Sequence, residues 1–258
     1  MLLVIAAARP QLVGEPYRLK AENRDIMLVI DISPSMLQPD LSRTQRIDRL
    51  TAVKAVVGSF VQKRTEDRLG LILFGTRAYV QSPLTFDKNA VAEILNNADA
   101  GMAGNSTSIG DALGLALKNL REEKEKNNKA IILLTDGENN DGSLSMAQAI
   151  GLAEKEGIKI YTVGVGSDRN FLGSLFGLGN GELDEKSLKE LAQRTKGNYF
   201  RATDVNSLAE IYTKIDQLEP AKSEGNIVQE KKDLFYVPLT FALILTLFLL
   251  FLPGRYLK

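Results

Sequence analysis

The sequence predicts an α/β fold: a doubly wound, Rossmann-like, mostly parallel sheet with one antiparallel edge strand, followed by a C-terminal transmembrane helix. Three observations predict it. Short, continuous apolar runs recur between residues 25 and 218. Apolar stripes at helical spacing lie between those runs. A stretch without charge, residues 234–252, follows near the end of the 258-residue chain.

Taken in order, residues 1–24 are an apolar start (MLLVIAAA) and a lead-in. The start is too short to span a bilayer. It reads as the end of a membrane helix that begins outside this chain. Residues 26–30 (IMLVI), 71–74 (LILF), 130–134 (AIILL) and 158–165 (IKIYTVGV) read as strands. Their apolar character is continuous rather than alternating, as expected where both faces of a sheet are covered. Residues 78–80, just past Gly75, suit a hairpin partner and hence the antiparallel edge. Ile47, Leu50, Val53, Val57, Phe60 and Val61 form the first helical stripe, with Ser42 and Gln45 as a candidate N-terminal capping pair. Ala112, Leu113, Ala116, Leu117 and Leu120 form a second. Leu188, Leu191 and Ala192 mark a third, and Leu208, Ile211, Tyr212 and Ile215 a fourth. The domain therefore runs over residues 25–218. Residues 219–233 (EPAKSEGNIVQEKKD) read as a charged stalk.

Residues 234–252 (LFYVPLTFALILTLFLLFL) would reach about 28 Å as a helix, close to the thickness of a bilayer's hydrocarbon. Phe235 and Tyr236 at one end and Tyr256 at the other suit the interface. Residues 253–258 form a tail. Arg255 and Lys258 are the only charges after Asp233, so what precedes them holds 30 basic and 32 acidic residues. Basic residues flanking both apolar ends on the domain side lean towards a domain in the cytoplasm, but long loops obey that rule weakly. The side of the membrane on which the domain lies is left open.

Composition narrows the chemistry. The chain has 32 Lys and Arg against 32 Asp and Glu, and no Cys, His or Trp. A nucleic-acid binder needs a basic excess, so nucleic acid is not an expected partner. Thiol catalysis, Cys/His zinc sites and a Ser-His-Asp triad are excluded outright. Oxygen donors remain, and they suit hard divalent cations.

Ligands of open α/β sheets bind beyond the carboxyl ends of strands, where the strand order reverses. Asp31-Ile32-Ser33-Pro34-Ser35 follows the first strand. Thr135-Asp136-Gly137 follows the third long run. Thr107 stands just before the helix that begins near Ile109. Alternate spacing lets Asp31, Ser33 and Ser35 converge on one point. Alone, that motif is also an ordinary turn or helix cap. A second strand-end Asp and the Thr complete an oxygen-only cation site.

These three elements resemble the von Willebrand factor type A family, whose metal-ion-dependent adhesion site has this pattern. Phe74-Gly75, Pro83-Leu84-Thr85, Leu134 to Asn140, Tyr161 to Gly166 and Tyr199 to Asp204 resemble more narrowly the BatA/BatB proteins of the bacterial aerotolerance operon. Pro34 departs from the pattern, where Gly is usual. The resemblance implies Ser33 and Ser35 as direct ligands, Thr107 as direct or water-bridged, and Asp31 and Asp136 acting largely through water. It implies Mg²⁺, or Mn²⁺ or Ca²⁺, with an open position for a Glu or Asp carboxylate from a partner protein. It also implies other Bat proteins and a MoxR-type AAA+ ATPase as partners, and no catalysis.

Other readings stand beside this one. A metal-dependent phosphoryl-transfer hydrolase could use Asp31, Thr107 and Asp136, but the position two after Asp31 is Ser33 and not a second Asp. There is no phosphate-loop motif. An assembly subunit of an AAA+ ATPase is a third reading. The loop at residues 167–183 (SDRNFLGSLFGLGNGEL) holds Phe171 and Phe176, which could touch a partner or tuck under the loop. Arg43, Arg46 and Arg49 read as surface charge rather than an anion site.

Overall fold

The computed structural model describes residues 7–13, 17–18, 24–42, 46–123, 128–137, 139–166, 184–219, 227–228 and 231–251. The chain divides into two units, residues 22–222 and the combined segments 1–21 and 223–258.

In chain order the elements are β1 (Gln11–Val13), β2 (Tyr17–Arg18), β3 (Arg24–Asp31), α1 (Arg49–Lys63), β4 (Arg68–Phe74), β5 (Ala78–Thr85), α2 (Lys88–Asn96), α3 (Ile109–Glu122), β6 (Asn128–Thr135), α4 (Met146–Glu156), β7 (Lys159–Val165), α5 (Glu185–Arg194), β8 (Tyr199–Ala202), α6 (Val205–Leu218), β9 (Ile227–Val228), β10 (Lys231–Asp233) and α7 (Tyr236–Phe251).

The larger unit is built on a six-stranded sheet of order β5-β4-β3-β6-β7-β8. All neighbours are parallel except β4 and β5. The chain moves outward from β3 to β5, then returns to the other side of β3 with β6. The strand order reverses there, so Asp31 and Thr135 end adjacent strands. Along β3, Ile26, Leu28 and Ile30 join one core with Val53, Val57 and Phe60 of α1, Leu95 of α2 and Ile211 of α6. Met27 and Val29 join the other, with Leu113 and Leu117 of α3, Ile150 of α4 and Leu191 of α5. Every residue of β3 is buried, and this two-sided cover explains its unbroken apolar run.

Three elements differ from expectation. Helix α1 is capped by Asp48, whose side chain accepts from the Thr51 N–H at 2.6 Å, and not by Ser42. The shift places Arg49 in the first turn. Helices α2 and α4 lack the long apolar stripes that mark the others. They fold on short ones: Val91, Ala92 and Leu95, and Ala149, Ile150 and Ala153. Helix α4 has strong end signals instead, a Ser145–Gln148 capping box and Gly157 at φ 66°.

In the other unit, β1 pairs antiparallel with β10 and β2 with β9. Both partner strands lie within residues 219–233, expected as a stalk. Helix α7 has 16 residues. Among the described residues no helix is both long and apolar enough to cross a membrane, so the 19-residue span over 234–252 is not reproduced at that length. Most of the described apolar side chains of α7 are exposed, including Phe241, Leu243, Ile244, Leu245 and Phe248 at 51–65%, while Ala242 is buried.

Candidate metal centre

The carboxyl edge of the sheet gathers a set of oxygen atoms. Asp31 is fully buried at the end of β3. One carboxylate oxygen accepts from the Ser33 N–H at 2.8 Å, the other from the Thr135 hydroxyl at 2.7 Å. The first bond folds the loop back so that Ser33 and Ser35 face each other, their hydroxyls 2.9 Å apart. Ser35 donates to Oδ1 of Asp136 at 2.7 Å. Pro34 stands in the first turn of the short 3₁₀ helix Pro34–Leu37, where its fixed φ is compatible with the turn.

Thr107 reaches the same edge through its backbone. Its N–H donates to the Asn140 side chain at 2.9 Å, and its carbonyl accepts from the Asn140 N–H at 3.1 Å. Asn139 accepts from the Gly110 N–H at 3.0 Å. The two asparagines thus fasten the Thr107 loop to the loop after β6. Thr76 fastens its other side, accepting from the Ser106 N–H and the Ser108 hydroxyl. Gly104 has φ +98° there, and a Cβ would collide with the Thr76 side chain. Asp31, Ser33, Ser35 and Asp136 are therefore linked by direct hydrogen bonds. Thr107 is fastened instead to Asn140, in the loop that follows Asp136. The Asn pair was legible only as part of a family motif, because backbone clamping has no periodic signature.

Arg49 corrects an expectation. It is not surface charge: its side chain is 1% exposed. Its NH1 donates to Oδ2 of Asp136 at 2.7 Å, while Nε and NH2 grip both oxygens of Asp40 at 2.8 and 2.6 Å. Gly166, at φ +152°, lies against this guanidinium, where a Cβ would come within 3.2 Å of NH2. Burial opposes the guanidinium charge, yet Asp40 and Asp136 hold its pKa above the ordinary value. Burial, then the charge of Asp136, pushes the Asp31 carboxyl up to about 6. Burial also raises Asp136, against the pull of Arg49.

Two carboxylates and two hydroxyls at these separations, with only Ser35 partly open to solvent, suit a hard divalent cation; the raised pKa values reflect the cost of burying the charges together. Among the described residues no three acidic or imidazole side chains converge, so the donor set is mixed hydroxyl and carboxylate. The loop with Phe171 and Phe176 lies outside the described residues.

A doubly wound sheet with an Asp-x-Ser-x-Ser loop and a second strand-end Asp at its switch point defines the class, an α/β domain with a candidate cation site at its carboxyl edge. Residues 25–214 match the von Willebrand factor type A domain, and the chain belongs to that family. It resembles BatB from Bacteroides thetaiotaomicron at 27% identity, covering 76% of this chain and 98% of that one, with a TM-score of 0.61. It resembles equally an aerotolerance-related membrane protein from Bacteroides fragilis, at 26% identity over 76% of this chain and 100% of that one, with a TM-score of 0.61. An uncharacterized protein of Borreliella burgdorferi is 27% identical over 96% of this chain and 75% of its own length. The chain spans 66% of the length of the mycobacterial relatives it also matches.

Proposed function

We propose that this protein is a membrane-anchored docking module whose von Willebrand factor type A domain binds a protein partner through a divalent cation, without catalysis of its own. The observation that carries the reading is the hydrogen-bonded Asp31–Ser33–Ser35–Asp136 cluster at the point where the strand order reverses. Ser33, Ser35 and Thr107 would hold the cation, Mg²⁺ or else Mn²⁺ or Ca²⁺, with Asp31 and Asp136 behind them. The bound cation supplies an electrophilic position that accepts a Glu or Asp carboxylate from the partner. Asp31 fixes the Ser33 turn, Asp136 orients Ser35, and the Asn139–Asn140 pair holds the Thr107 loop in reach. Resemblance to BatB supports other Bat proteins and a MoxR-type AAA+ ATPase as partners, in a stress-tolerance complex of the bacterial inner membrane.

The test is capture of partners from membranes in Mg²⁺ against EDTA, with wild type and Asp31→Ala. The expected result is a set of partners present only with wild type in Mg²⁺. Identical partner lists in all conditions would sink the metal-docking mechanism.

Helix α7 supports the anchor. So large an exposed apolar surface on one helix has no place in water. Its 16 residues give about 24 Å, short of the hydrocarbon thickness by an amount that bilayers accommodate. Leu243→Lys with Leu247→Lys should cost about 5–7 kcal/mol of insertion and release the full chain from membranes on alkaline extraction. Retention of this variant in the membrane pellet would refute the anchor.

A further inference from the structure

The position of Arg49 raises a question of charge. A cluster with Asp31 and Asp136 already carries two negative charges when ionised. Arg49 adds a positive charge within hydrogen-bonding distance of Asp136, and Asp40 adds a negative one gripped by the same guanidinium. Within this set Arg49 offsets one carboxylate charge and Asp40 restores it.

We propose that Arg49 and Asp40 are specificity-determining residues that set the charge of the metal cluster, and through it the affinity for the cation. The inference rests on the docking reading above. Geometry supports it. Arg49 occupies Oδ2 of Asp136 and leaves Oδ1 with Ser35, so the guanidinium sits behind the cluster and does not displace a hydroxyl. Its burial, and that of Asp136, keeps the interaction from being screened as a surface charge would be. Asp40 accepts from two nitrogens of Arg49 and acts on the cluster through that guanidinium and through its own charge.

Charge and orientation make opposite predictions. If Arg49 mattered only by holding Asp136, removing it would weaken metal binding, and second-sphere losses of this kind typically cost about 10- to 100-fold. If charge dominates, removing it makes the cluster more negative and tightens binding. The experiment is calorimetric titration of the full chain with Mn²⁺ alone, for wild type, Asp40→Asn, Arg49→Gln and the double variant. The expected result is about tenfold weaker binding for Asp40→Asn, about tenfold tighter binding for Arg49→Gln, and near wild-type affinity for the double variant, where the pair is again neutral. Should Arg49→Gln fail to fold, Asp40→Asn and the double variant still decide. Unchanged affinity in Asp40→Asn, or a double variant no nearer wild type than Asp40→Asn, overturns the proposal. Weaker binding in Arg49→Gln with Asp40→Asn unaffected also overturns it and leaves a positioning role. Wild type that binds no Mn²⁺, or Asp31→Ala that binds it equally, refutes the docking reading itself.

Discussion

Asp67→Ala is expected to destabilise the larger unit by about 3–5 kcal/mol, a large part of the stability of an ordinary domain. Asp67 lies just before β4, at the opposite end of the sheet from the metal cluster. Arg24 at the start of β3 grips both its oxygens, at 3.1 and 2.9 Å. Arg64, just past α1, donates to it at 2.9 Å and to the Glu219 carbonyl at 3.1 Å. All three charged side chains are 3–4% exposed. Removing the carboxylate leaves the buried Arg24 guanidinium with Glu219 at 4.0 Å, while Arg64 keeps the half-exposed Asp216 at 2.8 Å. Glu219 is already engaged by the Lys159 ammonium at 2.7 Å and the Tyr161 hydroxyl at 2.8 Å. The measurement is denaturant unfolding, where the midpoint should fall with the slope unchanged. A loss below about 1 kcal/mol would show that the network is replaceable and that its ions cost as much to desolvate as they return.

The same network shows why part of the fold was legible and part was not. The strands were readable because burial on both faces writes itself as an apolar run, as in β3 and β6. The cluster at Asp31, Ser33, Ser35 and Asp136 was readable because strand ends are marked by where those runs stop. Arg24, Asp67 and Glu219 are far apart in sequence and joined by pairing that no local pattern records. Arg49 is intermediate. It stands four residues before Val53 and eight before Val57, on the buried stripe of α1, and that spacing was the available signal. It was hidden by the expected cap at Ser42, which put Arg49 well inside a helix rather than at its first turn. Segment 219–233 was hidden for another reason: its charges suggested a stalk, and only pairing with residues 11–13 and 17–18 makes strands of it.

Asp31→Asn is expected to move stability in opposite directions with and without metal. The asparagine can keep both local bonds: its carbonyl accepts from the Ser33 N–H, and its amide donates to Thr135, whose hydroxyl turns to accept. What it removes is a buried charge. The Asp31 carboxyl has its pKa raised from 3.8 to about 6 in the fold. A raised acid contributes most below its unfolded pKa, and that contribution is lost as pH climbs through the folded value. Above pH 6 in EDTA, the wild type therefore carries a penalty on the order of 3 kcal/mol that the asparagine variant lacks. The variant should melt higher than wild type at pH 7.5 in EDTA, and its melting temperature should lose the component that falls between about pH 4 and pH 6. Adding Mg²⁺ at a hundred times its dissociation constant should raise wild type by about 2.7 kcal/mol and leave the variant almost unmoved, because the carboxylate that fixes the serine turn no longer offsets the cation's charge. Thermal melts of both proteins, with EDTA and with Mg²⁺, test this. A variant less stable than wild type in EDTA would make Asp31 a structural residue first. A variant that still gains from Mg²⁺ would move the cation away from this cluster. The expected crossing of the two melting curves is the signature of a site where the fold accepts a loss of stability to keep a cation-binding charge.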